Sequence, residues 1–463
     1  MRLISIFILA TALFAQSPST FETHLAAGQA AMAQSRYSEA DAELHAAVAE
    51  TATPDPNRSP ARVVDTYSTL CDLDLMLGRF DEAITLAFKA SAAVEEMGNQ
   101  AKLAGQTPPE LTPHLARLAG AYRFAGKTPL AVPVLQRMLS IDLAAAPDNP
   151  NISSDYDKIG SAYMELGQME DSRIAYEKAL NTRIGRLGPD HLDVATSWVN
   201  LGVLEVANTT LSAAQKDFES ALAISEKQLG AESYALTGIL DRLGELFSKE
   251  QRFSQAEPMF QRSLAIREKT LGPRHFDVAQ ALDDLGSVYY MDKKFAEAEP
   301  VFQRELQIWT ATQGEASPLV AQALDNLGSV YAAQKRLTDA EVCFKKALAI
   351  REARDIDSLS NLAQIYESTG DLKRSDDYFQ RAILIGDKGL GSDHPEVVTT
   401  MDEYAKMLHA AGRLVDAKKM EARLKDLKDR LNPQVTSSVA GVAMAASGAT
   451  GGTGSLPAPV RKQ

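Results

Sequence analysis

Hydrophobic positions recur along this chain at a long and regular interval. Leu282–Tyr290 reads LDDLGSVYY, and Leu324–Tyr331 reads LDNLGSVY. Five copies have apolar anchors spaced 42 residues apart, at Ile159, Leu201, Leu243, Leu285 and Leu327. Weaker copies have anchors at Ala27, Leu70, Leu118, Leu362 and Tyr404. A period this long, with two helical patterns per unit, predicts an all-α fold, an α-solenoid of about ten units.

Each unit divides into a helix A, a turn and a helix B. In the copy anchored at Leu285, apolar residues at helical spacing predict helix A over Val278–Met291. Asp292–Lys294 forms the predicted turn, and helix B begins at Phe295. Each unit therefore presents one apolar stripe per helix to its neighbours.

Glycine and proline residues also recur at equivalent positions of the repeat. In the five copies spaced 42 residues apart a glycine follows the anchor, although glycine inside a helix costs about 1 kcal/mol relative to alanine. These glycines are Gly160, Gly202, Gly244, Gly286 and Gly328. Their recurrence predicts a close approach of helix A and helix B. Cys71 stands at the same position, and Pro133, Pro258 and Pro300 share a position predicted to lie in the first turn of helix B.

The motif Leu-Gly-x-x-Tyr, followed by Ala and then Phe-x-x-Ala-Leu, resembles the tetratricopeptide repeat. The 42-residue period is similar to the kinesin-light-chain type, and Ile266–Ala279, Thr182–Ala195 and Ile385–Val398 carry that likeness. The resemblance covers residues 21 to 431 and is most specific from Ile159 to Leu414. It implies a right-handed superhelix of helix-turn-helix units that binds its ligand in a concave groove lined by helix A.

The organisation along the chain changes at both ends. Residues 1–16 resemble a signal peptide, because Met1-Arg2 precedes a short apolar run, Leu3–Phe14. An uncleaved anchor and a buried helix are the alternatives. Residues 21–97 form divergent N-terminal units, 98–113 a Pro-rich joint, and 114–431 the main solenoid. Residues 432–463 lack apolar periodicity and are predicted to be disordered. A cleaved signal predicts an exported protein, periplasmic or secreted, with no other membrane insertion.

Charge and composition narrow the class of partner. The 463 residues carry a formal net charge of −13, which argues against a nucleic-acid partner and favours a basic one. Cys71 and Cys343 lie in different predicted helices, so neither a disulfide nor a metal-binding spacing is expected. His191, His275 and His394 recur at connectors, too far apart to share one zinc ion. We expect them at loop-to-helix junctions, with Asp190 and Asp393 helping to cap helix A.

By the resemblance, the exposed positions of helix A are the two residues before the anchor and the residue two after it. The predicted peptide-binding groove comprises Asn200, Asp241, Arg242, Glu245, Asp283, Asp284, Ser287, Asp325, Asn326, Ser329, Asn361 and Gln364. This groove is acidic, and its amides could bond a peptide backbone. The alternative is a solvated polar face without a ligand. Recurrence at one position favours a binding role for Asn200, Asn326 and Asn361.

These patterns predict a non-catalytic scaffold or adaptor that binds another protein or peptide, basic or extended, in the concave acidic groove. The alternative is a structural or assembly component of a cell-envelope complex, acting through self-association or convex-face contacts. The sequence contains no nucleophile elbow, zinc-protease motif, Walker loop or Cys-x-x-Cys motif. We therefore expect neither enzymatic activity nor a cofactor, and the oligomeric state stays open.

Overall fold

The computed structural model describes residues 20–53, 55, 58–146, 148–351 and 356–431, with side chains described to residue 427. The predicted signal segment and the predicted tail lie outside this range. The described residues form twenty α-helices, one short 3-10 helix and no strand. The α-helices are α1 (Thr20–Ala33), α2 (Tyr37–Glu50), α3 (Pro60–Met76), α4 (Phe80–Leu103), α5 (Thr112–Phe124), α6 (Thr128–Ala145), α7 (Asn151–Glu165), α8 (Met169–Leu187), α9 (Leu192–Ala207), α10 (Leu211–Leu229), α11 (Thr237–Lys249), α12 (Phe253–Leu271), α13 (Phe276–Met291), α14 (Phe295–Gln313), α15 (Pro318–Ala333), α16 (Leu337–Ile350), α17 (Ile356–Ser368), α18 (Leu372–Gly389), α19 (Pro395–Ala410) and α20 (Leu414–Leu431).

The twenty helices form ten consecutive pairs, and every predicted anchor lies in the first helix of its pair. We call the first helix of each pair helix A and the second helix B. The helix predicted at Val278–Met291 is α13, which begins two residues earlier, and α14 begins at the predicted Phe295. The all-α helical-repeat solenoid is therefore confirmed.

The contacts divide the chain into two units. Unit 1 ends at Pro189 and contains α1–α8, and unit 2 begins at Asp190 and contains α9–α20. In unit 2, the main cluster of buried apolar residues extends from Ala195 to Leu427, and Leu236, Leu240 and Ile266 form a smaller one. The predicted joint at 98–113 lies inside unit 1, and its first six residues continue α4 to Leu103.

The recurrent glycines let helix B pack directly on helix A. A Cβ atom on Gly286 would lie 2.6 Å from the Phe302 ring, 16 residues along the chain. The same contact recurs as Gly160 with Tyr176, Gly202 with Phe218, Gly244 with Phe260, and Gly328 with Phe344. Where the larger Cys71 replaces glycine, the residue 16 positions later is the small Ala87, and both are buried. The predicted close approach is thus a glycine–ring contact.

The turn between helix A and helix B has a left-handed residue in all ten pairs. It is glycine in five pairs, namely Gly78, Gly126, Gly167, Gly370 and Gly412. In the other five it is Ser35, Thr209, Gln251, Lys293 and Lys335, with φ between 57° and 63°. Non-glycine residues are strained in this region, so the packing of the pair imposes the turn.

The repeated prolines lie deeper in helix B than predicted. Pro133, Pro258 and Pro300 each follow the first residue of their helix by five positions, so they lie in the second turn. The first-turn prediction is therefore wrong by one turn. The carbonyl groups that Pro258 and Pro300 leave unbonded belong to the exposed Ser254 and Ala296, where water can satisfy them.

Polar ladders join successive pairs in unit 2. The amide of Gln261 donates to the hydroxyl of Tyr289 at 2.9 Å, linking α12 to α13. Arg262 donates to Glu226 at 2.5 Å, linking α12 to α10. Equivalent bonds join Gln303 to Tyr331 and Arg304 to Glu268 one repeat later. No helix among the described residues is long and apolar enough to cross a bilayer.

Candidate binding surface on helix A

The acidic residues two positions before the anchor face their own helix B. In α11, the Asp241 carboxylate accepts hydrogen bonds from Arg267 of α12 at 2.5 and 3.2 Å. Asp325 pairs in the same way with Arg351. The Asp241 and Arg267 side chains are only 16% and 12% exposed. The prediction that Asp241 and Asp325 are exposed groove residues is therefore wrong, because both are neutralised by a structural ion pair.

The α13/α14 pair, which lies between the two pairs with these aspartate–arginine contacts, has no arginine at the equivalent position. Trp309 occupies the position of Arg267, 24 residues after the anchor. Asp283 is 3% exposed and accepts hydrogen bonds from Asn326 at 2.6 Å and Gln322 at 3.3 Å. No ion pair of Asp283 is present in the described part of the chain. Asp283 and Asn326 were predicted on the exposed groove, but they form a buried bond between α13 and α15.

Without the arginine, the α13/α14 pair contains a group of buried or half-buried carboxyl groups. Burial raises the pKa of Asp283 to about 7, despite the hydrogen bonds from Asn326 and Gln322. Burial and the neighbouring Asp283 raise the pKa of the half-buried Asp284 to about 8. Glu305 is 1% exposed, accepts from Trp309 Nε1 at 3.1 Å, and has its pKa raised by burial. Asp283 and Asp284 are therefore protonated in part near neutral pH, so they add less negative charge than the sequence implies.

Two predicted residues line a depression between α9 and α11. Arg242 and Glu245 are exposed at its rim, and Lys249 lies beside them. The floor is apolar, with Val203 and Val206 from α9 together with Phe218 and Leu246. Desolvation raises the pKa of the Glu245 carboxyl, although that side chain reaches solvent. The depression has a volume of about 160 Å³.

Three more predicted residues line a second depression, of about 290 Å³. Ser329 of α15 and Asn361 and Gln364 of α17 form its polar side. Tyr290, Ala332, Ala333, Leu337, Phe344 and Ile365 form its apolar side. Gln364 also donates to Glu403 of α19 at 2.8 Å, so it connects two repeats as well as lining the surface. Asn200 and Ser287 are half-buried and line neither depression.

The apolar lining residues were missed in the sequence. Most of those on helix A lie three or four positions beyond a predicted polar residue, as Leu246 does beyond Arg242 and Ala333 beyond Ser329. Residues at that spacing share a helix face, so extending each helix A stripe by one turn would have identified them. Phe218, Leu337 and Phe344 come from B helices, which that extension does not reach.

The histidines cap helices as single residues. His191 is the N-cap of α9 and accepts from the Asp193 amide at 3.1 Å, and His275 does the same in α13. His394 holds the equivalent position without a side-chain cap bond. Asp190, predicted as a capping residue, accepts from Lys227 instead. Within the described residues, no group of three or more His, Cys, Asp or Glu converges as a metal site.

Both cysteines are buried thiols inside helices. Burial raises the pKa of Cys71 to about 12 and that of Cys343 to about 11. A thiol with such a pKa stays protonated at neutral pH and is a poor nucleophile. Neither residue therefore contributes chemistry to the binding surface.

Comparison with known proteins identifies the repeat. The tetratricopeptide repeat pattern matches residues 151–227, 193–269, 235–304, 277–353 and 355–428, which together exceed half of the chain. Repeats of this family generally mediate protein–protein interaction or scaffolding and are typically non-catalytic. No curated protein matches the sequence.

Several solved structures are similar in fold. BtubC (BKLC) from P. vanneervenii is 23% identical, covers 49% of this chain and 91% of its own, and has a TM-score of 0.44. A putative kinesin light chain from Podosopora anserina is 18% identical, covers 43% and 98%, and has a TM-score of 0.39. PilF of Pseudomonas aeruginosa is 17% identical, covers 54% and 97%, and has a TM-score of 0.37. The chain belongs to the tetratricopeptide-repeat family.

Proposed function

We propose that this protein is a non-catalytic scaffold or adaptor that binds an extended polypeptide segment on the helix A face of unit 2. The observation that carries the proposal is the pair of depressions between successive A helices, each with an apolar floor and a polar rim. Family members bind other proteins or peptides, which supports the same class of ligand.

The size of the depressions favours side chains of a polypeptide. Pockets for drug-sized ligands usually span about 300–1,000 Å³. The depressions here measure about 160 and 290 Å³, so each suits one side chain of an extended segment. Asn361 and Gln364 at the rim carry amides that can bond a peptide backbone.

The charge of the surface favours a mixed segment over a strongly basic one. Asp241 and Asp325 are neutralised by arginines, and Asp283 is buried. The first rim combines Arg242 and Lys249 with Glu245, and the second rim is uncharged. We therefore propose a segment with apolar side chains at intervals, in place of the basic segment that the acidic sequence pattern favours.

A matched pair of filling variants tests this proposal. Peptides selected from a displayed library on the purified chain would be measured by fluorescence anisotropy. We expect Ala332→Phe, which fills the second depression, to weaken binding by about tenfold or more. Ala349→Phe, on the exposed side of α16, should change nothing. Equal binding by both variants, or selection of no peptide, would refute the helix A surface.

The assembly-component alternative has support in unit 1. Met76 of α3 and Phe124 of α5 occupy the same repeat position in successive pairs, and both are exposed. Exposed apolar residues at equivalent positions favour association between copies. Sedimentation velocity over a range of concentrations tests this. A dimer lost in a Met76→Ser, Phe124→Ser variant supports self-association, and a concentration-independent monomer contradicts it.

We also propose that the protein is exported, on the basis of the apolar run Leu3–Phe14. Cells expressing the whole chain, or the chain without residues 1–16, would be fractionated. We expect only the whole chain to leave the cytoplasm and to lose its first residues. Equal distribution of both forms would contradict export.

A further inference from the structure

A cleft of about 600 Å³ lies in unit 1, away from the helix A face. It lies between the B helices α4 and α6 and the connector that joins α4 to α5. The connector is long because the anchor Leu118 follows Leu70 by 48 residues instead of 42. It folds back on α4, since a Cβ atom on Gly98 would lie 3.7 Å from the Pro108 ring. The insertion therefore builds a wall of the cleft.

The base of the cleft holds a buried acid. Asp142 of α6 lines the cleft, is 5% exposed, and has one carboxylate oxygen, Oδ2, buried without a hydrogen-bond partner. Asp155 of α7 is 2% exposed, and its Oδ2 also lacks a partner. Burial raises the pKa of Asp155 to about 6, against the attraction of Lys158 and with help from Asp142. An unsatisfied buried carboxylate is costly, so the pair calls for a cation or a proton.

The repeat register shows why this acid is unusual. Asp142 stands 24 residues after its anchor, where Arg183, Arg267 and Arg351 stand in other pairs. In those pairs the arginine neutralises an aspartate of helix A. In the α5/α6 pair the corresponding helix A residue is Ala116. An acid therefore replaces the base at a position where the fold elsewhere supplies a cation.

The other charged residues around the cleft are paired with each other or lie at its exposed edge. Arg137 donates to Glu95 at 2.6 Å at the rim, and Lys102 and Glu110 line the exposed edge. Lys158 lies 3.4 Å from the other oxygen of Asp155, Oδ1, and bonds Ser154. None of these cations forms an ion pair with Asp142 among the described residues. The walls near the base include the apolar Val94 and Ile141.

We propose that this cleft binds an organic cation, an ammonium or guanidinium group carried on an alkyl chain. The charged end bonds the Asp142 carboxylate and neutralises the Asp142–Asp155 pair, and the alkyl part lies against Val94 and Ile141. In the described part of the chain, no group of three or more His, Cys, Asp or Glu converges here to hold a metal ion. The site is separate from the helix A face, so it does not depend on the proposed function.

The source of the cation is either a basic peptide side chain or a free amine. Isothermal titration of the full chain would use N-acetyl-lysine amide, agmatine and, as the uncharged analogue, N-acetyl-norleucine amide. We expect a charged probe to bind at least about tenfold more tightly than the norleucine analogue. Binding of the lysine amide assigns the site to a peptide side chain, and binding of agmatine alone assigns it to a free amine.

Two variants of Asp142 distinguish a loss of cation binding from a general loss of stability. Asp142→Asn should weaken the charged probe about tenfold or more. Asp142→Arg, which introduces the arginine that three other pairs have at this position, should abolish binding and raise the Tm. Asp283→Asn changes an equally buried acid in unit 2 and should leave binding unchanged. In the unmodified chain near pH 6, binding should also release a proton from Asp155, measured in buffers of different ionisation enthalpy.

Three outcomes would overturn the proposal. Equal affinity for the norleucine analogue would show an apolar cleft without a cation site. Unchanged binding by the folded Asp142→Asn variant would move the site elsewhere. No binding of either charged probe would mean that the two acids share a proton and hold no ligand. Each result leaves the helix A surface to be judged by its own filling variants.

Discussion

Two neighbouring helix pairs in unit 2, α11/α12 and α13/α14, pack in nearly the same way but differ in how they accommodate an aspartate of helix A. Both place a glycine against a phenylalanine, and both have an aspartate two residues before the anchor. In the first pair Asp241 forms an ion pair with Arg267. In the second pair Trp309 replaces the arginine, and Asp283 is buried with a raised pKa. One residue on helix B decides the state of an acid on helix A.

The comparison extends to unit 1, where Asp142 occupies the same helix B position. Arginine there makes an ion pair, tryptophan buries the aspartate, and aspartate creates an acid pair. The helix pair forms with all three because the buried apolar core holds it together, including in α5/α6, where Ala119 and Leu135 stand in place of the glycine and the ring. The residue at this position therefore changes the electrostatics of a pair while the packing of helix B on helix A is retained.

The largest expected change in stability follows from removing the arginine of the α11/α12 pair. Arg267→Ala leaves Asp241 largely buried without its cation, and we expect a loss of about 3 kcal/mol in the free energy of unfolding of unit 2. Hydrogen exchange of the α11 and α12 amides measures this locally. Arg262→Ala, in the same helix, removes a half-exposed pair with Glu226 and should cost about 1 kcal/mol or less. An equal loss of stability in the two variants would contradict the conclusion that Arg267 neutralises a largely buried aspartate.

Substituting the glycine should destabilise both pairs equally, because both have the same glycine–phenylalanine contact. Gly244→Ala and Gly286→Ala each place a methyl group within 2.6 Å of a phenylalanine ring. We expect each to cost about 2 kcal/mol, by overpacking. Thermal unfolding measures both. A difference between them as large as that between Arg262→Ala and Arg267→Ala would mean that the two pairs differ in packing as well as charge.

The acids of the second pair predict a dependence of stability on pH. Asp283 and Asp284 have folded pKa values of about 7 and 8, above the ordinary value of 3.8. The native state therefore binds more protons than the unfolded chain between about pH 4 and 8, so stability falls as pH rises through that window. Asp241, Glu245 and Arg267 face Asp284, and Glu305, Gln322 and Asn326 surround Asp283.

Asp283→Asn should flatten this dependence. We expect it to recover on the order of 1–2 kcal/mol at pH 8 and little at pH 5. The measurement is Tm against pH for both chains, with Asp241→Asn as the control in the ion-paired repeat. Because Asp241 is neutralised by Arg267, its loss should lower stability at both pH values. A parallel shift of the Asp283→Asn curve would contradict the raised pKa.

The smallest effect concerns the turns. Lys293 has a φ of 62° between α13 and α14, where five other pairs use glycine. Lys293→Gly should raise stability by about 0.5 kcal/mol, because relief of the left-handed strain exceeds the added chain entropy of glycine. Gly412→Lys tests the reverse change and should lower stability. Thermal unfolding of both variants resolves the sign.

Much of the fold could be predicted because its signals are local. The ten anchors, the A and B helices and the α13–α14 boundary follow from apolar spacing and turn length within one repeat. The glycine–ring contact was also predictable, since a costly helical glycine requires a packing reason. The proline position was misjudged because proline tolerance in the second turn depends on water reaching the freed carbonyls.

The groove was predicted less well. Arg242, Glu245, Ser329, Asn361 and Gln364 line depressions, but Asp241, Asp283, Asp325 and Asn326 are structural. An internal signal was present, since Asp157, Asp241 and Asp325 each precede an arginine by 26 residues. That regularity indicates an ion pair between helices, which a profile of one helix at a time does not reveal.

The sequence by itself determined the repeat length, the number of helix pairs and the family, because periodic apolar positions select the helices and their partners. Only the tertiary structure decided which polar residues of helix A reach solvent. A side chain two positions before the anchor lies against helix B, and the residue found there sets its charge. It also decided that the long connector after α4 closes a cleft over Asp142, because that contact joins residues from two repeats.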